Sequence, residues 1–212
     1  TMGSDIFNKH IFGKINEDEL YKQRMEGLAD PTLRHFQLLS FASLAKEQFK
    51  QDQYEIEYIR SYLNAAQELA IIGERKTSQP GAFLFYQHSY ALPVLYLTRH
   101  CMELAIKRAI GRMGHHAKTS HGLTKIWSSF LSSCQDRRSE NDESVIKAMG
   151  KFISCVDKLD PTGTKLRYAM DDDSYSIDTP LWVDSKHVTI LLEQFVDQLE
   201  AINASECVAT SQ

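Results

Sequence analysis

Apolar residues recur at every third or fourth position along most of this chain, which is the spacing of one face of an α-helix. The pattern covers residues 31–73, 83–111, 123–134, 144–159 and 185–203. No alternation of period two persists, so a substantial β-sheet is not expected. The sequence therefore predicts an all-α fold, an antiparallel helical bundle of four to five main helices with a long loop before the last helix.

Individual residues predict where these helices begin and end. Pro93 lacks a backbone donor, which favours a helix that starts or is kinked there. Gly73 is a candidate C-cap, and Asp184 or Ser185 can cap the last helix. The inward face of the fourth helix is predicted to consist of Val145, Ala148, Met149, Phe152, Val156 and Leu159.

The 212 residues fit one domain of ordinary size with an extension at the N-terminus. We expect an extension with a short helix in residues 1–30, a single helical bundle domain in residues 31–205, and a disordered tail in residues 206–212. Thr1 in front of Met2 is interpreted as a remnant of an expression tag.

Composition narrows the class of protein. A net charge of −4 argues against a protein that coats nucleic acid through its overall field, although a local phosphate site stays compatible with it. The four cysteines are far apart, as is typical of small apolar residues in a reducing compartment. There is no signal-peptide pattern and no stretch of about 18 apolar residues. We expect a cytoplasmic protein that makes no membrane contact and holds no cofactor.

The predicted second helix carries the main functional signal. Around an ideal helix, Tyr96, Arg99, His100, Glu103 and Lys107 fall within about 100° of one another, and apolar residues cover most of the remaining circumference. A mostly buried helix therefore has one polar stripe, and that stripe contains ionisable groups.

Three interpretations of the stripe remain open. It is a solvated face with ion pairs at i, i+4 spacing along Arg99, Glu103 and Lys107. Alternatively, it contacts another chain or another helix and supplies specificity there. In the third interpretation it lines a pocket where Arg99 and Lys107 bind an anion while His100 and Glu103 exchange protons.

Histidines outside the stripe add candidates. His121 stands at the start of the third helix, where its imidazole can act as a general base near neutral pH. His115 and His116 are typical of a flexible loop. Together with His121 they lack a recognised zinc spacing, so no metal site is predicted.

The long loop before the last helix contributes a second set of candidates. Arg167 and Tyr168 are candidates for binding a phosphate or another ligand. Residues 171–173 are all aspartate, and such an acidic run either is solvated, pairs with the arginine or holds a divalent ion.

Several motifs are absent, among them G-x-S-x-G, the Walker loop, the dinucleotide fingerprint and H-E-x-x-H. The run YALPVLYLTRHCMELAIKRAI, followed by SHGLTKIW and later by LRYAMD, resembles the HEPN superfamily of small helical bundles found in prokaryotic toxin–antitoxin and phage-defence systems. The resemblance covers residues 83–173, and it is nearest to a bacterial branch with an R-H-x-x-E-L helix and an H-x-L-x-x-x-W helix.

The resemblance implies a metal-independent endoribonuclease that assembles its site across a homodimer. An arginine would stabilise the phosphate, and a histidine would assist attack by the RNA 2′-hydroxyl, which leaves a cyclic phosphate. The usual nuclease pattern places histidine a few residues after an arginine and a polar residue. Its one formal match here, Arg108 to His115, lacks that polar residue. A relocated site is therefore expected, built from Arg99, His100, Glu103, His121 and Arg167.

Two functional hypotheses follow from the sequence. The first is a HEPN-like protein that acts on RNA or nucleotides, with catalytic residues Arg99, His100, Glu103 and His121 and ligand-binding residues Tyr96, Lys107, Arg167 and Tyr168. The second is a non-catalytic helical module that forms a homodimer or regulates a cognate protein partner in a defence system.

Overall fold

A computed structural model describes residues 18, 22, 48–78, 90–116, 120–164, 166 and 183–209 of the chain. The chain divides into two compact units, residues 1–46 and 47–212. In the first unit, Asp18 and Lys22 are helical, within the interval where a short helix is predicted. The predicted domain boundary at residue 30 lies outside the described residues.

Five α-helices make up the described part of the second unit, where no strand occurs, and the predicted all-α bundle is confirmed. They are α1 (Gln48–Thr77), α2 (Ala91–Arg112), α3 (Leu123–Ser133), α4 (Glu143–Leu159) and α5 (Ser185–Ala209). Two short 3₁₀ turns, Gln135–Arg137 and Glu140–Asp142, connect α3 to α4. Pro93 lies in the first turn of α2, where a missing backbone donor costs nothing.

Helix α1 runs antiparallel to both α2 and α5, as the contacts between these helices show. For α1 and α2, Gly73 lies beside Tyr90, whereas the Cys101 thiol donates to the Ile59 carbonyl at 3.6 Å. For α1 and α5, Arg60 pairs with Glu200 near the middle of both helices. The same two helices also meet through Glu74, near the end of α1, and Lys186, near the start of α5.

The core of the bundle is apolar and continuous across all five helices. Its fully buried members include Leu63, Met102, Ile106, Leu123, Ile126, Ile153, Leu192 and Leu199. Burial of each such side chain contributes about 1.5–3 kcal/mol to folding. Helix α2 lies at the centre of this core, since residues from its first turn to its last are buried. A polar group on α2 is therefore placed at the edge of a dry interior.

Three details differ from the sequence predictions. Helix α1 continues through Gly73 to Thr77, so the predicted C-cap is wrong. The glycine lies inside the helix beside Tyr90, and an added Cβ would make only an ordinary van der Waals contact, 3.5 Å from the Tyr90 Cβ. On α4, Val145 and Ala148 are exposed, and Ile153 is buried with Met149 and Val156. Helix α5 extends beyond residue 203 and includes residues 206–209 of the predicted tail.

The last helix begins where a polar cap was predicted. The Asp184 carboxylate accepts a hydrogen bond from the His187 backbone amide at 2.9 Å, which satisfies a donor of the first turn. Within the described ranges, no helix combines the length and the apolar character needed to cross a bilayer.

Candidate functional site

The Arg99 guanidinium is buried and holds two loops together. Only 2% of the residue is exposed. Its Nε donates to the Asp160 carbonyl at 2.8 Å and its Nη2 to the His121 carbonyl at 2.5 Å, while Nη1 reaches Glu103 Oε2 at 3.2 Å. A buried arginine is tolerated only when its donors are satisfied in this way. The polar stripe of α2 therefore meets backbone carbonyls at this point.

Asp160 organises the loop that follows α4. The residue is fully buried, and its carboxylate accepts from the Thr164 amide at 2.9 Å and lies 3.6 Å from the Arg99 Nε. The turn then passes over the guanidinium at Gly163, whose φ is +78°. A Cβ on this glycine would lie 2.9 Å from the Arg99 Nη1. Only glycine combines this backbone conformation with such a close approach.

We expect Gly163→Ala to destabilise the protein more than Gly114→Ala. Both glycines have φ of +78°, but nothing lies within 4 Å of a Cβ at Gly114. The second variant therefore measures the backbone cost alone, about 1–2 kcal/mol, and the difference measures the collision with Arg99. Denaturant unfolding of both variants tests this. Equal losses of unfolding free energy would show that the loop does not pack on the guanidinium.

Glu103 is the centre of a hydrogen-bonded cluster whose other members are Arg99, Lys107 and His121. The residue is 6% exposed. Its Oε1 accepts from the Lys107 Nζ at 2.7 Å and lies 2.9 Å from the His121 Nδ1, while Oε2 takes the hydrogen bond from Arg99. The predicted ion pairs along α2 are present. Interpretation of the stripe as a solvated face is nevertheless wrong for Arg99 and Glu103, because both are buried.

Burial alone would raise the pKa of Glu103, but the hydrogen bonds from Lys107 and His121 outweigh it and hold the pKa below its usual 4.5. The ionised carboxylate is thus stabilised in the folded protein. The contribution to stability is fully present above the unfolded pKa and is lost as the pH falls through the folded pKa.

We therefore expect the free energy of unfolding of Glu103→Gln to depend less on pH than that of wild type, from about pH 5 downwards. Wild type should lose unfolding free energy there faster than the variant. Glu193→Gln, which removes an exposed carboxylate of α5, controls for the loss of one negative charge. Parallel curves for wild type and Glu103→Gln would contradict the assigned role of the carboxylate.

His121 is the accessible member of the cluster, since 61% of its side chain is exposed. It stands two residues before α3, whose start is fixed by α4. The Asp157 carboxylate accepts from the Leu123 amide at 2.8 Å and from the Thr124 amide at 3.3 Å. Arg99 holds the backbone of His121 and Glu103 holds its ring. The imidazole is thus anchored at two points and still faces solvent.

The pairing with Glu103 determines which nitrogen of His121 is chemically available. An ionised carboxylate only accepts hydrogen bonds, so Nδ1 is the donor and Nε2 is the nitrogen left to take up or release a proton. The surrounding charges balance, because Arg99 and Lys107 are matched by Glu103 and Asp160. The arrangement is that of a general acid–base group oriented by a buried carboxylate.

The predicted site residues fall into three groups. Arg99, Glu103, Lys107 and His121 form the hydrogen-bonded cluster described above. Tyr96 and His100 stack on each other with ring centroids 6.1 Å apart, and His100 also meets the edge of Tyr62 at 4.6 Å. Arg167, Tyr168 and residues 171–173 lie outside the described residues.

Metal ligation finds no support in the part of the chain that the structure describes. No group of three histidine, cysteine, aspartate or glutamate side chains there is arranged to hold a metal ion. His115 and His116 are exposed in the loop after α2, as expected of loop residues.

Three residues that position the site were missed by the sequence analysis. Asp157 caps α3, and Asp160 and Gly163 build the turn over Arg99. The latter two belong to the sequence DPTG, which carries a strong turn signal because aspartate can hydrogen-bond backbone amides and glycine permits positive φ. This short sequence does not indicate which side chain packs beneath the turn, because Arg99 lies about 60 positions earlier in the chain.

Comparisons with known families, curated proteins and solved structures give no match for this chain.

Proposed function

We propose that this protein cleaves RNA without a metal, using His121 as the group that transfers the proton. The observation that carries the proposal is the 2.9 Å contact between His121 Nδ1 and a buried, ionised Glu103, with the imidazole largely exposed. The HEPN resemblance of the α2 and α3 motifs supports the same class of reaction. Both lines of support concern the same two helices.

Apart from the His121 imidazole, the reaction needs only the substrate and water. His121 Nε2 takes the proton of a ribose 2′-hydroxyl, and the 2′-oxygen forms a bond to the adjacent phosphorus. The bond from phosphorus to the 5′-oxygen breaks, and the leaving oxygen takes a proton from water, whose hydroxide then takes the first proton back from the imidazolium of His121. The products are a 2′,3′-cyclic phosphate and a free 5′-hydroxyl. Positioned proton transfer of this kind contributes about 10²–10⁴-fold to the rate.

The other cluster residues have separate roles in the proposal. Lys107 is the most accessible cation of the cluster, with 27% of its side chain exposed, and its ammonium group, which also pairs with Glu103, donates a further hydrogen bond to the phosphate. Arg99 and Glu103 are positioning residues, because burial keeps both from contacting a substrate. This differs from the sequence interpretation, in which Arg99 binds the phosphate directly.

Incubation of labelled mixed-sequence RNA with the protein in EDTA tests the proposal. Cleavage that leaves cyclic-phosphate ends, and that is lost in His121→Ala, supports it. RNA that stays intact with a folded wild-type protein would contradict it. Persistence of cleavage in His121→Ala would place the active group elsewhere or indicate a contaminating nuclease.

A non-catalytic interaction module is the second candidate. It is favoured by one observation, namely that Arg99 and Glu103 direct their polar atoms to the protein's own loops. On this hypothesis the cluster only stabilises the fold, and a homodimer or a cognate protein partner supplies the function. Sedimentation of the purified protein tests for the homodimer that the resemblance implies.

A further inference from the structure

Five aromatic rings form an unbroken row across α1 and α2, which we call the aromatic row. Its members are Tyr54, Tyr58, Tyr62, His100 and Tyr96. Successive centroids lie 6.1, 5.2, 4.6 and 6.1 Å apart along this order. Such spacings are those of stacked and edge-to-face aromatic pairs. Tyr58 is 37% exposed, and the other rings are half-buried at the surface.

The row is polar at its hydroxyl edge. The Tyr58 and Tyr62 hydroxyls are 3.1 Å apart. The hydrogen bond with Tyr58, together with burial, raises the pKa of Tyr62 to about 12, so this hydroxyl remains neutral at physiological pH. Aromatic rings that carry hydroxyl groups can stack on flat, polar ligands and hydrogen-bond to them.

Two members of the row lie on the same stripe of α2 as two members of the proposed catalytic cluster. Tyr96, His100, Glu103 and Lys107 are spaced i, i+4, i+7 and i+11, which places them on one stripe of α2. With a rise of about 1.5 Å per residue, Tyr96 lies only about 10 Å along the axis from Glu103. Tyr96 and the His121–Glu103 pair are therefore close enough for one short stretch of RNA to contact both.

Charge sets the direction in which a nucleotide would lie. The Tyr54 and Tyr58 end carries Glu57, an exposed carboxylate that accepts a hydrogen bond from Gln53 at 3.1 Å. Negative charge at that end disfavours phosphate, whereas at the other end Glu103 is matched by cations and Lys107 has ammonium protons beyond the one that binds Glu103. A base on Tyr96 and His100 with its phosphate beside Lys107 satisfies both conditions.

A protein partner fits this surface less well. The exposed large apolar residues of the described chain are Tyr58, Ile71, Leu92, Val145 and Ile190, and they lie on four different helices. The fully buried centre of a protein interface is a contiguous apolar patch, which these scattered residues do not make. Base stacking needs only ring faces.

We propose that Tyr96 and His100 form a base-stacking subsite for a nucleotide of single-stranded RNA whose phosphate lies at Lys107 and His121. The inference rests on the proposed function, since it names how the same site holds its substrate. It assigns binding to the aromatic row and leaves proton transfer to His121.

The test uses fluorescence anisotropy with the full chain and a short RNA in which each 2′-hydroxyl is replaced by hydrogen, so that it cannot be cleaved by this reaction. A second probe of the same length lacks the bases. We expect Tyr96→Ala to weaken binding of the first probe by about 10- to 100-fold and to leave binding of the base-free probe unchanged. Tyr96→Phe, which keeps the ring, should bind as wild type does. Leu92→Ala, which removes an exposed side chain one turn earlier, should also have no effect.

Three results would overturn the subsite. The first is no binding of the base-containing probe by wild type, and the second is an equal loss on both probes in Tyr96→Ala. The third is a change of oligomeric state in Tyr96→Ala, seen by sedimentation, since the row would then be an interface between proteins. The proposed function is judged separately. If His121→Ala loses cleavage but Tyr96→Ala binds RNA as wild type does, only the subsite is contradicted. If binding depends on the Tyr96 ring but the wild type does not cleave RNA, the subsite is supported and the catalysis is contradicted.

Discussion

Arg99→Ala is expected to lower the free energy of unfolding by about 3–5 kcal/mol, because it leaves buried charges and carbonyl groups without their partner. The Asp160 and His121 carbonyls each lose a hydrogen bond from the guanidinium. The buried Asp160 carboxylate loses the cation 3.6 Å from it, and the buried Glu103 carboxylate keeps Lys107 but loses Arg99. Denaturant unfolding at neutral pH measures the loss.

Arg60→Ala is the matched control for this prediction. Arg60 also joins separate parts of the chain, through ion pairs with Asp197 at 2.6 Å and Glu200 at 2.7 Å. Its side chain is 31% exposed, so water replaces the lost contacts and the expected cost is about 1 kcal/mol. A loss in Arg99→Ala no larger than that in Arg60→Ala would contradict the role of Arg99 as the link between the two loops.

His121→Ala is expected to reduce kcat for RNA cleavage by about 10²–10⁴-fold and to leave KM within a few-fold of wild type. The imidazole is largely exposed, so its removal should not unfold the protein. Steady-state cleavage in EDTA, together with an unfolding curve of the same sample, measures both quantities.

His116→Ala provides the comparison for this second prediction. His116 is an exposed loop histidine close in sequence to His121 and makes no contact with Glu103 among those the structure describes. Full activity in His116→Ala with loss in His121→Ala ties the effect to the pair with Glu103. Equal activities of His121→Ala and wild type would remove His121 from the mechanism.

Helical periodicity predicted the fold because burial of the apolar faces that the pattern identifies is the main favourable contribution to the free energy of folding. Leu63, Met149 and Leu192, for example, are buried as their spacing indicates. Errors arose where one residue has two explanations. Glycine is a common C-cap residue, but Gly73 lies inside α1, which continues to Thr77. A glycine within a helix and a glycine at its end give the same local signal in the sequence.

The candidate site was predicted in part, and the reason is physical. The stripe on α2 and the histidine before α3 are visible in the sequence, and the structure brings Glu103 and His121 together. Burial of Arg99 was not predicted, because it depends on a turn contributed by residues about 60 positions later, at Asp160. Likewise, the angular positions of His100 and Glu103 around α2 do not indicate that they have different neighbours. In the structure His100 packs against a tyrosine ring of α1, whereas Glu103 binds His121.

Chemical rescue tests the central claim most directly, namely that the His121 imidazole transfers the proton. His121→Ala leaves an open position at the surface, because the side chain it removes is largely exposed and Glu103 remains as a hydrogen-bond acceptor. We expect free imidazole to restore cleavage of RNA by this variant in a saturable way, and to leave the wild-type rate unchanged. Folded His121→Ala that binds RNA normally and stays inactive at every imidazole concentration would contradict the claim.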